Sequence, residues 1–86
     1  MTNSERIEKM RDLLTGALNP TDLDIRDDSH LHAGHAGAKS GKGHFTIFID
    51  SEQFNDQSRI AIHRLVYDAL GDMMETDIHA LSIKKL

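Results

Sequence analysis

The chain has 86 residues, no cysteine and a formal net charge of −4, and 38% of its residues are hydrophobic. This length predicts one small domain over residues 1–86, because domains typically comprise about 50–250 residues. Without cysteine, the chain has no disulfide, no thiol nucleophile and no metal site built from its own thiolates. No apolar run reaches the roughly 18 residues that a membrane span needs. We also expect no targeting segment, and therefore a cytoplasmic protein with no membrane partner.

Histidine is the unusual residue of this composition, with six copies in the chain. His30, His32 and His35 lie close together in a glycine-rich segment from Asp28 to Gly43, which predicts a long loop. Imidazole is the commonest metal-ligating side chain. The segment is therefore either a metal-binding loop or a solvated polar loop that happens to be rich in histidine. A metal-storage or zinc-binding domain built on these three histidines is one alternative function.

The first part of the chain predicts a helix followed by a short strand. Thr2 and Glu5 have the spacing of a capping box, apolar residues recur at three- and four-residue steps, and Pro20 ends the helix. Leu23 and Ile25 then alternate with charged residues, as expected for a half-buried strand.

The rest of the chain predicts a strand, a long helix and a last strand. An apolar stripe ending at Met73 marks the main helix, and Ile78–Leu86 has the pattern of a strand. On that strand His79 shares the parity of Leu81 and Ile83, so we expect its side chain to be partly buried. The order α-β-β-α-β predicts an α+β fold, in which helices cover one face of a three-stranded mixed sheet. Its first two strands form an antiparallel hairpin, and a right-handed crossover links the second strand to the last.

Motifs of self-contained catalysis are missing. No serine lies in a nucleophile elbow, and no glycine pattern matches a phosphate-binding loop. We therefore do not expect an enzyme with its own active site.

Three segments together resemble the signature of the BolA family. They are Asp28–His35, reading Asp-Ser-His-Leu-His-Ala-Gly-His, then His63–Tyr67, reading His-Arg-Leu-Val-Tyr, and Ile78–Ile83, reading Ile-His-Ala-Leu-Ser-Ile. The likeness covers essentially the whole chain. It implies the same α-β-β-α-β order, with a short extra helical turn before the main helix, similar to a type II KH domain.

The resemblance also implies a partner and a cofactor. BolA proteins bind monothiol glutaredoxins of the CGFS type and share a [2Fe–2S] cluster with them, in which the glutaredoxin cysteine and a bound glutathione supply thiolates. The BolA protein contributes one loop residue and the histidine that opens the last strand, which correspond here to His32 and His79, with His30 and His35 as substitutes in the same loop. Some members carry cysteine in the loop, but this cysteine-free chain is similar to the histidine type. The family is linked to iron homeostasis and iron–sulfur cluster maturation.

Some bacterial members are described as transcriptional regulators of stress response and cell shape, which gives DNA binding as the alternative function. Four cations could form a basic face for DNA: Arg59, Arg64, Lys84 and Lys85. Ordinary surface charge explains them as well, because the chain is acidic overall and DNA binders usually carry a basic surplus. The turn before the main helix also departs from the family pattern Phe-x-Gly-x-Ser, since Asp56 occupies the glycine position.

Overall fold

The computed structural model describes residues 2–28 and 43–86. Two helices, a three-stranded sheet and two short helical turns make up these residues. Their order is α1 (Asn3–Leu18), β1 (Asp22–Asp27), β2 (Gly43–Asp50), a 3-10 turn (Glu52–Phe54), α2 (Arg59–Leu70), α3 (Met73–Thr76) and β3 (Ile78–Lys85). The predicted order is confirmed, including the helical turn that the family resemblance places before the main helix.

The sheet has the order β1-β2-β3 and is mixed, as predicted. β1 pairs with β2 in antiparallel register, from Asp22 opposite Asp50 to Asp27 opposite Phe45. β2 pairs with β3 in parallel. This topology brings the end of β1 and the starts of β2 and β3 to one end of the sheet.

One hydrophobic core lies between the helices and one face of the sheet. On β2, Phe45, Ile47 and Ile49 are buried, and their neighbours Ile25 on β1 and Leu81 on β3 pack against the same core. α1 and α2 cover this face with residues at helical spacing: Met10, Leu14, Leu18, Ile62, Val66 and Leu70. The predicted helix-on-sheet arrangement is therefore confirmed.

The helix ends follow local sequence signals. The Thr2 hydroxyl accepts a hydrogen bond from the Glu5 backbone N–H at 3.2 Å, and the Glu5 carboxylate accepts one from the Thr2 backbone N–H at 3.4 Å, which completes the predicted capping box. α1 ends at Leu18, because Asn19 before Pro20 takes a left-handed conformation with φ 43°.

α2 is shorter than its apolar stripe suggests. Ser58 caps it by accepting a hydrogen bond from the Ala61 N–H at 3.1 Å, and the helix ends at Leu70. Gly71 follows with φ +55°, a conformation that ordinary L-residues rarely adopt, and it turns the chain. The assignment of Met73 to the main helix is therefore wrong: Met73 is buried, but it belongs to the separate turn α3.

Candidate metal-ligand site and basic groove

The candidate site lies at the end of the sheet where β3 begins. The Asp28 N–H donates to the His44 carbonyl at 2.8 Å, and the Gly43 N–H donates to the Asp77 carbonyl at 2.9 Å. Gly43 therefore lies beside the start of β3, and Asp28 lies beside β2 at the same end of the sheet. The predicted loop ligands His30, His32 and His35 lie outside the described residues.

His79, the other predicted ligand, is exposed at this end of the sheet. The expectation that it is partly buried is wrong. The ladder between β2 and β3 has an irregularity here: Gly43 lies opposite Ile78 and His44 lies opposite Ala80, so His79 has no partner of its own in the register. Because a bulge breaks strand alternation, the parity of Leu81 and Ile83 does not extend to His79. The imidazole is open to a partner from outside.

His44 is the site residue that the sequence interpretation missed. Its side chain is only 5% exposed, and its ring centroid lies 5.0 Å from that of His79, with the two planes tilted by 48°. It is not among the ligands predicted from the sequence, which are His30, His32, His35 and His79. No local signal predicts its burial, because the contact with His79 depends on the parallel pairing of β2 with β3.

A network of polar side chains fixes the backbone around His79. The Arg6 guanidinium donates from Nε to Asp77 Oδ1 at 3.3 Å and from Nη1 to Asn3 Oδ1 at 2.8 Å. Asn3 Nδ2 donates in turn to Asp27 Oδ2 at 3.1 Å. The network therefore connects α1, the end of β1 and the residue before β3. Thr46 adds a further link by donating from its hydroxyl to the Asp28 carboxylate.

Asp77 carries the negative charge at the centre of this network. Burial of Asp77 alone raises the pKa of its carboxyl, but hydrogen bonds from Thr76 and Arg6 and the positive charges of Arg6 and Lys9 outweigh burial and hold that pKa below its ordinary value. The Arg6 and Asp77 side chains are only 11% and 12% exposed. Asp77 is therefore an ionised, paired group two residues before His79.

Within residues 2–28 and 43–86, no three histidine, aspartate or glutamate side chains are grouped so that they could hold a metal ion. The described part of the site thus presents one exposed imidazole. One imidazole fits a metal site whose other ligands come from residues 29–42 or from a partner. The described residues alone do not form a metal centre.

Three of the four predicted DNA-contacting cations lie together. Arg59 at the start of α2 and Lys84 and Lys85 at the end of β3 line a groove of about 740 Å³. Arg64 is exposed on α2 but is not among the residues that line this groove.

Asp56, in the turn before α2, has a left-handed backbone with φ 63°, which explains why glycine suits that position.

Comparison with known proteins identifies the family. The family model described as "BolA-like protein" matches residues 14–86, so the chain belongs to the BolA-like family. It is 42% identical over 81 residues to Protein BOLA1, chloroplastic, of Arabidopsis thaliana, covering 91% of this chain and 51% of that protein. It is 30% identical over 76 residues to the DNA-binding transcriptional regulator BolA of Escherichia coli, covering 88% of this chain and 70% of that protein.

Solved structures agree with the fold. The BolA domain of SufE1 from Arabidopsis thaliana superposes with a TM-score of 0.80 at 39% identity, covering 93% of this chain and 88% of that chain. The chain spans about half of the length of BOLA1 and 22% of SufE-like protein 1 from the same plant.

The expected cytoplasmic location stays a prediction, because these two plant relatives are named as chloroplastic or as chloroplastic/mitochondrial. In the described ranges, none of the helices is long and apolar enough to cross a membrane.

Proposed function

We propose that this protein is a non-enzymatic accessory factor that binds a monothiol CGFS glutaredoxin and contributes histidine ligands to a [2Fe–2S] cluster shared with that partner. The partner's cysteine and its bound glutathione supply the thiolates, and His79 and His32 supply nitrogen. The factor acts in iron–sulfur cluster maturation or transfer, or in iron homeostasis. When bound, such a cluster supplies a one-electron redox centre, and histidine ligation raises its reduction potential.

The observation that carries this proposal is the exposure of His79 at the end of the sheet where the histidine-rich segment begins and ends. The backbone beside it is fixed by Arg6 and Asp77, so the imidazole is presented from a rigid base. The chain has no cysteine, so in such a site the thiolates must come from a partner.

The proposal is tested by mixing the purified protein with a cluster-loaded CGFS glutaredoxin in the presence of glutathione. Visible absorption and circular dichroism report the ligands of iron, so we expect both spectra to change as imidazole replaces thiolate. His79→Ala should abolish the change while far-ultraviolet circular dichroism stays native, because His79 is exposed. His63→Ala, which changes a half-buried histidine on α2, is the matched control and should behave as wild type. Unchanged spectra on mixing the wild-type proteins would refute the proposal.

The loop ligand is tested separately. His32→Ala should lower cluster retention but leave residual binding, because His30 and His35 in the same segment can substitute. The triple change of His30, His32 and His35 to alanine should remove the contribution of the loop. If His30→Ala or His35→Ala is as damaging as His32→Ala, the assignment to His32 is wrong.

DNA binding is the second candidate function, because the relative from Escherichia coli is named as a DNA-binding regulator and Arg59, Lys84 and Lys85 share one groove. With a net charge of −4 and Asp56 beside the groove, we expect DNA binding to be weak and not sequence-selective at physiological salt. Binding through phosphates should also weaken steeply as salt rises. A specific footprint at roughly nanomolar protein at physiological salt, as for typical specific DNA binders, would contradict this expectation.

A further inference from the structure

The groove between α2 and β3 has a charge opposite to that of the chain as a whole. Arg59, Lys84 and Lys85 line it, and none of the described residues that line it is an aspartate or glutamate. Across the whole chain, acidic residues outnumber basic ones by 14 to 10. The amino end of α2 also lies at this groove, and the helix dipole adds a positive potential there. The groove therefore favours an anionic ligand.

The floor of the same groove is apolar. Ile62 of α2 and Leu81 and Ile83 of β3 line it, and the two β3 side chains are half-buried. Burying apolar area stabilises a complex by about 25 cal/mol per Å² before the costs of association are subtracted. A ligand that matches the groove must therefore carry aliphatic groups as well as negative charge.

β3 is also an edge strand. Among the described strands it pairs with β2 only, and its stretch Ala80–Ile83 carries no charged side chain. Proteins commonly block edge strands with charge, proline or bulges, because an open edge pairs with other chains. Here the charges lie only at the last two positions of the strand, so neither a charge nor another described strand blocks the edge at Ala80–Ile83 from a backbone with its own N–H and C=O groups.

We propose that this groove binds an extended segment of a partner protein, in which acidic residues alternate with aliphatic residues, as an additional strand on the edge of β3. The alternation of β3 matches such a segment. Leu81 and Ile83 lie opposite Phe45 and Ile47 on the core face, whereas Lys84 lies opposite Phe48 on the other face. Side chains of an added strand alternate in the same way, so its aliphatic residues cover the floor while its carboxylates lie on the face of Lys84. Arg59 of α2 and Lys85, which lies opposite Ile49 on the core face, attract the same carboxylates over a longer distance.

Single-stranded nucleic acid fits this groove less well than an acidic peptide. Among the described residues that line it, His63 alone carries an aromatic ring, whereas single-strand binders use several aromatic side chains as stacking platforms for successive bases. A nucleic acid also has no peptide groups with which to pair the edge of β3. Asp56, which is exposed in the turn before α2, adds a negative charge that repels phosphates.

Fluorescence anisotropy with a fluorescein-labelled heptapeptide that alternates aspartate with valine or leucine tests the proposal. We expect saturable binding at low salt. The double change Arg59→Glu and Lys84→Glu should weaken it by about tenfold or more, because it replaces two attractions by two repulsions. The matched control is Arg11→Glu with Arg64→Glu, which changes the net charge equally at two exposed positions outside the groove and should leave the affinity within about twofold.

Two further probes separate strand addition from simple charge attraction. A version of the peptide that is N-methylated at every backbone nitrogen keeps every side chain but cannot donate to β3, and it should bind at least about tenfold more weakly, through the loss of main-chain hydrogen bonds. The proposal would be overturned if the N-methylated peptide bound as tightly as the parent peptide, or if both double variants weakened binding equally. It would also be overturned if the parent peptide showed no saturable binding. Tighter binding of an oligothymidylate of equal charge would overturn it too and would assign the groove to nucleic acid. None of these measurements involves a glutaredoxin or a cluster, so they are independent of the function proposed above.

Discussion

The two ends of β3 present functional side chains in opposite ways. Before its first residue, Asp77 is buried and bonded to Arg6 and Thr76, and His79 stands exposed beside this fixed backbone. At its last residues, Lys84 and Lys85 are exposed beside an open groove. The contrast shows that one short strand can carry an exposed histidine beside a backbone held by a polar network and, at its other end, exposed lysines beside a groove. The following changes test this contrast through the free energy of unfolding.

Arg6→Met should have the largest effect. It removes the guanidinium that pairs with the mostly buried Asp77 and bonds to Asn3, and it keeps a side chain of similar length. Breaking a buried ion pair from one side leaves the other charge uncompensated, which typically costs about 3–5 kcal/mol. Because Thr76 still bonds to Asp77, we expect a loss of about 3 kcal/mol in urea denaturation at pH 7. A loss below about 1 kcal/mol, the range of exposed ion pairs, would show that the network is not what fixes this end of β3.

The pH dependence of the same variant follows from the lowered pKa of Asp77. A carboxyl whose pKa is lower in the folded than in the unfolded state stabilises the fold, and this stabilisation is complete at pH values above the pKa of the unfolded state, which is about 3.9. This contribution is lost as the pH falls through the folded pKa. The difference in unfolding free energy between wild type and Arg6→Met should therefore be largest near neutral pH and shrink below about pH 4. A difference that stays constant from pH 7 to pH 3 would contradict the assignment to the Asp77 carboxylate.

Gly43→Ala tests the tight packing at the same end of the sheet. A Cβ at position 43 would overlap the Cε2 and Cζ atoms of Phe45 and would lie 3.1 Å from Asn3 Oδ1. Phe45 is only 2% exposed, so its ring would have to shift within the packed core, and we expect a loss of about 2 kcal/mol from overpacking. Gly16→Ala on α1 is the control, because its Cβ would meet no atom within 4 Å. It should instead gain about 0.5–1 kcal/mol from helix propensity. Losses of equal size in both variants would show that packing against Phe45 is not the cause.

Asp56→Gly moves the test to the groove end of the molecule. Asp56 has φ 63° and is exposed, and a left-handed backbone is more costly for a residue with a Cβ than for glycine. We expect a gain of about 0.5–1 kcal/mol in unfolding free energy. Asp56→Ala removes the same carboxylate but keeps a Cβ, so it should give no gain. If the two variants are equally stabilised, the cause is the loss of the negative charge and not the backbone.

The residues tested above also show which features the sequence could predict. Periodicity and local turn signals act over a few positions, so they predicted the order of elements, the Thr2–Glu5 capping box and the end of α1 before Pro20. The departure at Asp56 was visible as well, although not its left-handed backbone. The Arg6–Asp77 pair joins residues 71 positions apart, and no local signal links them. The burial of His44 and the exposure of His79 depend on an irregularity between two strands that are distant in sequence, which alternation along a single strand cannot predict.

Lys85→Gln should have the smallest effect and completes the comparison. The Lys85 ammonium lies 3.6 Å from Asp50 Oδ1, and the two side chains are 45% and 35% exposed. Exposed pairs of this kind typically contribute 0.2–1 kcal/mol because water and salt screen them, so we expect a loss of about 0.3 kcal/mol.

Asp50 Oδ1 also accepts a hydrogen bond from the Ser51 N–H at 2.9 Å, so Asp50→Asn has a cost of its own. A double-mutant cycle separates the two terms. Its coupling energy should stay below about 0.5 kcal/mol and disappear in about 1 M salt, where the Debye length is near 3 Å. A salt-resistant coupling above about 1.5 kcal/mol would mean that Lys85 is needed by the fold and is not available to a ligand in the groove. The predicted small value leaves its charge available for binding, in contrast to Arg6 at the other end of the same strand.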